Sequence, residues 1–106
     1  MIRPLEPCDL HARLAAGEEL QLVDVREDEE ITLARFAGAL HIPLGDLALR
    51  AGELDPDLPT VCICHHGVRS ASAAALLAQR GFETVYNLSG GIDRWTVEID
   101  PALRRY

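Results

Sequence analysis

The chain is predicted to be an α/β protein with a mostly parallel sheet covered by helices on both faces. Three observations predict it. Short β-branched or apolar runs recur as candidate buried strands, "LQLVDV", "TVCIC" and "FETVYNL". Segments of helical composition separate them, most clearly "SASAAALLAQR". The alternation itself calls for right-handed crossovers, which place helices on the two sides of a parallel sheet.

Taken in order, "PCDLHARLAAGE" has Leu10 and Leu14 on one helical face, Pro7 near its start and Gly17 past its end. Residues 20–25 then form a strand, and "EDEEITLARF" follows with acidic residues first and Arg35 last, an order that suits a helix dipole. "GALHIPL" reads as a short strand closed by Pro43, and "GDLALRAGEL" as a turn or two of helix before the proline-interrupted "DPDLP" loop. Residues 60–64 make the next strand, Ser70 to Arg80 a helix stopped by Gly81, "FETVYNL" another strand, and "IDRWTVEI" a last helix ending before Pro101.

Length and composition predict one domain over residues 1–106, with 48% hydrophobic and 25% charged residues, a balance that can close a core. A net charge of -7 opposes binding to nucleic acid or anionic lipid. All 10 basic residues are arginine, which excludes a lysine Schiff base and the lysine of a Walker loop. No apolar stretch approaches a membrane span, and "MIRPLEPCDLHARL" lacks the apolar centre of a signal peptide, so the expected location is cytoplasmic. The 3 cysteines, Cys8, Cys62 and Cys64, do not fit a secreted disulfide framework and are expected to be thiols, with Cys8 packed in the first helix.

The chemistry-bearing stretch is "VCICHHGVRSAS", residues 61–72. It falls at the carboxyl end of a strand and the start of a helix, where open α/β sheets place their sites. Its cysteines and histidines suggest zinc by composition, but neighbouring side chains do not converge on one ion, and no metal or cofactor is expected. A disulfide between Cys62 and Cys64 would be strained, and Cys62 belongs to the buried strand.

Cys64 is left as the candidate nucleophile. Gly67 permits a positive φ, so the backbone of His65, His66, Gly67, Val68, Arg69 and Ser70 can curl into an anion-binding cup. The start of the helix near Ser70 and the charge of Arg69 add to it, and together they favour an ionised sulfur.

These landmarks, "LVDVRE", "GALHIPL", "CHHGVRS" and "LSGGIDRW" in that order, resemble the rhodanese-like sulfurtransferase family over nearly the whole chain. The resemblance implies a rhodanese-like fold with a five-stranded sheet. It also implies a sulfurtransferase in which Cys64 takes sulfane sulfur from a donor such as thiosulfate, holds it as a persulfide and passes it to a thiophilic acceptor.

The loop from Cys64 to Arg69 has the length of the sulfur-transferring branch. The alternatives are a phosphatase or arsenate reductase of the same fold, whose loop carries one more residue, and a non-catalytic binding module. Asp24 and Arg26 match a family position near the loop, and a structural ion pair accounts for them first. Gly90 and Gly91 are read as serving backbone geometry, Trp95 as core and His41 as a structural histidine.

Two departures stand out. Ala34 and Arg35 occupy positions where many relatives have a Gly-His pair. His65 and His66 stand where members that use different donors differ, which leaves the donor open and predicts a pH response across roughly 6 to 7.5. The ending "VEIDPALRRY" is similar to rhodanese domains fused to adenylating enzymes, which implies a sulfur-carrier protein or adenylating enzyme as partner.

Overall fold

The computed structural model describes residues 2–106. In chain order these are strand β1 (Ile2–Leu5), helix α1 (Pro7–Ala15), β2 (Gln21–Asp24), α2 (Asp28–Leu33), β3 (Leu40–His41), α3 (Leu47–Arg50), β4 (Thr60–Ile63), α4 (Val68–Gln79), β5 (Val85–Leu88) and α5 (Gly91–Glu98). Short 3-10 turns at Leu44–Asp46 and Ala51–Glu53 flank α3.

The five strands lie in the order β1-β5-β4-β2-β3 and every pair is parallel. β4 is therefore central, paired with β2 on one side and β5 on the other. Both of its faces are covered, which explains its unbroken apolar run. Val61 and Ile63 pack toward Leu10, Ile92 and Trp95 from α1 and α5. Cys62 and Cys64 point the other way, toward Leu47 of α3 and Ala73, Ala74 and Leu77 of α4. Trp95 is core, as expected.

The residue pattern misses β1. Three of its four residues are exposed and it contains Pro4, which only an edge strand tolerates because the ladder loses a donor there. Two other elements are shorter than predicted. α2 ends at Leu33 and Ala34 is extended (φ -156°, ψ 124°), so Arg35 lies outside the helix and complements no dipole. β3 keeps only two of the residues of "GALHIPL".

Cys8 also departs from its reading: it lies in α1 but is exposed, because Pro7 and Leu10 are the residues that α1 turns inward. No helix among the described residues is long and apolar enough to cross a membrane.

Candidate active site

Strand β4 ends at Ile63 and delivers Cys64 to the mouth of the sheet, with the residue only 1% exposed. Gly67 takes φ 105°, a left-handed backbone that side chains resist, and caps α4. This turn aims the Gly67 N–H at Cys64 Sγ, 3.0 Å away. Helix α4 starts at Val68, two residues before the predicted Ser70, so Val68, Arg69 and Ser70 make up its first turn. The dipole end of α4 therefore begins nearer to Cys64 in the chain than the sequence pattern suggested. Ser70 is buried, and its Oγ lies 3.2 Å from Cys64 Sγ.

The loop is held from its other side by α5. Ile92 N–H donates to the Cys64 carbonyl at 2.8 Å, and Asp93 N–H donates to the His65 carbonyl at 3.1 Å. Carbonyl and N–H point oppositely across a peptide, so anchoring these carbonyls on α5 turns the N–H groups of His65 and His66 away from α5. Gly91 makes the approach feasible: it has φ 62°, and a Cβ there would stand 2.4 Å from the His65 carbonyl oxygen. Gly90 likewise adopts φ 73°. Both glycines have the geometric role expected of them, and Gly91 has a specific one.

Arg69 does not stand free in the cup. Its guanidinium pairs through both terminal nitrogens with the Glu30 carboxylate, the second contact being 2.9 Å. Glu30 also accepts from Glu27 N–H at 3.0 Å and from the Tyr106 hydroxyl at 2.7 Å. The Arg69 guanidinium, with those two donors, holds Glu30 down at about 2 against the cost of partial burial.

Asp24 and Arg26 form the expected ion pair, with Arg26 Nη2 2.7 Å from Asp24 Oδ2. Arg26 also donates to the Ala34 carbonyl at 2.7 Å and to the Tyr106 hydroxyl at 3.0 Å. Ala34 thus contributes its backbone carbonyl to this pair.

The rings of the two loop histidines lie against each other at 3.9 Å between centroids, tilted by 32°, and Tyr106 stacks on His65 at 3.9 Å and 9°. Burial, and then the neighbouring His66, lower the His65 pKa, so its neutral form persists to lower pH than in an ordinary histidine. His65 Nε2 is buried and has no hydrogen-bond partner among the described residues. His41 Nε2 lies 2.7 Å from the Arg26 carbonyl, which accepts from it in a structural bond.

Three contributors escape the sequence reading: Glu30, Asn87 and Tyr106. Each reaches the loop from a distant part of the chain, Glu30 from α2, Asn87 from β5 and Tyr106 from the C-terminal segment. Asn87 sits opposite Cys62 in the β4–β5 register, which is the signal that could have placed it.

Cys62 is buried beneath the site and its thiol is pushed up to about 12 by burial. No group of three or more His, Cys, Asp or Glu among the described residues is placed to hold a metal. A shallow groove of about 330 Å³ lined by Ala51, Leu54, Pro56, Arg80 and Phe82 includes none of the loop residues.

A sheet of this order with a cysteine loop between its central strand and the following helix defines a class, and sequence comparison gives the family. Residues 6–98 match the rhodanese-like domain model, and the chain belongs to that family. YtwF of Bacillus subtilis is 39% identical over 100 residues, 94% of this chain and 96% of its own. Thiosulfate sulfurtransferase GlpE of Pseudomonas aeruginosa is 39% identical over 84 residues, 79% of this chain and 76% of its own. Among solved structures, a rhodanese-like domain protein from Staphylococcus aureus superposes with a TM-score of 0.85 at 26% identity, covering 98% of each chain.

Proposed function

We propose that this rhodanese-like domain acts as a cytoplasmic sulfurtransferase with Cys64 as its nucleophile. The observation that carries this reading is a buried sulfur at the start of α4 with an N–H donor 3.0 Å away, in a loop whose carbonyls are held outward by α5.

In the first half-reaction the Cys64 sulfur gives an electron pair to the outer sulfur of a donor such as thiosulfate. A new S–S bond forms, the donor's S–S bond breaks, and sulfite leaves with that bonding pair; the thiol proton goes to sulfite or solvent. In the second, a thiophilic acceptor attacks the terminal sulfur, the persulfide bond breaks, and Cys64 recovers its electron pair and then a proton. The loop N–H groups stabilise the anionic persulfide between the two steps. The loop residues His65, His66 and Val68 border its opening, and Val68 is 78% exposed.

Arg69 acts in this scheme as a cation already paired with Glu30, so a donor anion meets a neutralised charge and relies chiefly on the backbone. A carrier protein with an activated carboxyl terminus is the acceptor that the same reading favours.

The test is intact mass after incubation with thiosulfate. One added sulfur atom is expected, removable by cyanide as thiocyanate. Cys64→Ser should abolish the adduct and Cys62→Ser should retain it. No adduct with thiosulfate, mercaptopyruvate or a cysteine-desulfurase donor defeats the proposal, and the reverse pattern for the two cysteines defeats the site assignment.

A further inference from the structure

The hydrogen bonds behind Cys64 run in one direction, and that direction can be deduced atom by atom. The Gly67 carbonyl can only accept. The Asn87 group 3.0 Å from it must therefore be the amide nitrogen, Nδ2. That leaves Asn87 Oδ1 facing Ser70 Oγ, and because Oδ1 can only accept, Ser70 must donate its hydrogen there. A hydroxyl has one hydrogen. Toward Cys64 Sγ, 3.2 Å away, Ser70 can then act only as acceptor, so the donor in that contact is the Cys64 thiol.

From this chain we infer that Asn87 is a positioning residue for Cys64: by claiming the Ser70 hydrogen, it makes Ser70 an acceptor that retains the proton on the resting sulfur. The Gly67 N–H is the donor aimed at the sulfur, and it serves the ionised and persulfide forms. Asn87 acts on both sides of that balance, since its amide also holds the Gly67 carbonyl and with it the peptide that carries the Val68 N–H.

The remaining titratable or charged groups around the sulfur are Arg69 on α4, which is paired with Glu30 of α2, Cys62 two residues earlier on β4, and His65 and His66 in the loop. None of them contacts the Ser70–Asn87 link.

The inference rests on Cys64 being the reactive thiol of the proposed function, but it can be tested without any sulfur donor. The ultraviolet absorbance of the thiolate, referenced to Cys64→Ser, gives the ratio of ionised to protonated Cys64 at neutral pH. Asn87→Ala frees the Ser70 hydrogen for the sulfur and should raise that ratio about fivefold, the weight of one ordinary hydrogen bond. Asn87→Asp keeps an acceptor facing Ser70 while losing the donor to Gly67, and should not raise it.

In a Ser70→Ala background Asn87→Ala should no longer raise the ratio. Ser70→Ala alone should not lower the ratio, because it removes an acceptor of the thiol. A fall of fivefold or more in Ser70→Ala, or an unchanged or lower ratio in Asn87→Ala, overturns the inference. So does a rise in Asn87→Asp equal to that of the alanine variant. If Asn87→Ala does not fold, Ser70→Ala decides by its sign. Loss of sulfur uptake with this pattern intact would count against the proposed function and leave the role of Asn87 standing.

Discussion

The buried interior around the site, its floor, and the solvent-facing mouth use the same residue types to different ends. In the floor, Cys62 lies inside β4 and Arg26 is fully buried against Asp24, with every nitrogen of its guanidinium engaged by a carboxylate, a carbonyl or the Tyr106 hydroxyl. At the mouth, Cys64 sits in a loop that leads to solvent, and Arg69 pairs with Glu30 while its side chain stays 33% exposed.

A buried ion pair is bound to its partners because separation would leave a charge without water. A half-open pair can exchange partners at small cost, because solvent screens what is lost. The ion pair beside Cys64 is therefore the incompletely enclosed one, while the sulfur itself stays buried.

The comparison breaks most visibly in the floor. Asp24→Ala leaves the Arg26 charge buried and unpaired and should destabilise the fold by about 3–5 kcal/mol in urea unfolding. A cost below about 1 kcal/mol would show that the floor is as permissive as the mouth.

Gly91→Ala tests the wall between the two regions. The methyl group would collide with the carbonyls of Cys64 and His65 in a backbone of positive φ, so a loss of about 1–3 kcal/mol is expected. Sulfur uptake should fall more than folding does, because displacement of those carbonyls misaligns the loop. Uptake that merely follows the folded fraction would argue against α5 as the loop's support.

The smallest effect belongs to the mouth pair. Glu30 is held down at about 2 from an ordinary 4.5, so its contribution is present above about 4.5 and is lost as pH falls toward about 2. Glu30→Gln should lower stability at neutral pH by less than about 1 kcal/mol after solvent screening, and should flatten the acid limb of the stability curve in that window. An acid limb identical to that of the unaltered chain would mean that the pair adds nothing to the fold.

The loop was legible because its information is local. Cys64, Gly67 and the helix that follows are consecutive in the chain, and a glycine between a strand and a helix has few conformations that join them. The buried Asp24–Arg26 pair was legible for a similar reason, two residues apart at a strand end. β1 was not, since an edge strand that is mostly exposed and contains proline has neither alternation nor an apolar run to mark it.

The same distinction separates Arg69 from its partner. The sequence placed a positive charge beside Cys64 without showing that Glu30, 39 residues away, would take it up. Tyr106 lies 80 residues from Arg26 and 76 from Glu30, both of which it contacts.

The sequence by itself determined the α/β alternation, the strand-loop-helix that carries Cys64, and the family, because each rests on short-range pattern and on residues in fixed order. The tertiary structure decided which donors and acceptors meet around the sulfur. Parallel pairing of β4 with β5 brings Asn87 behind Ser70, and packing of α5 on the loop turns its carbonyls outward. Such contacts depend on register and on the approach of separate elements, and no periodicity along one segment contains them.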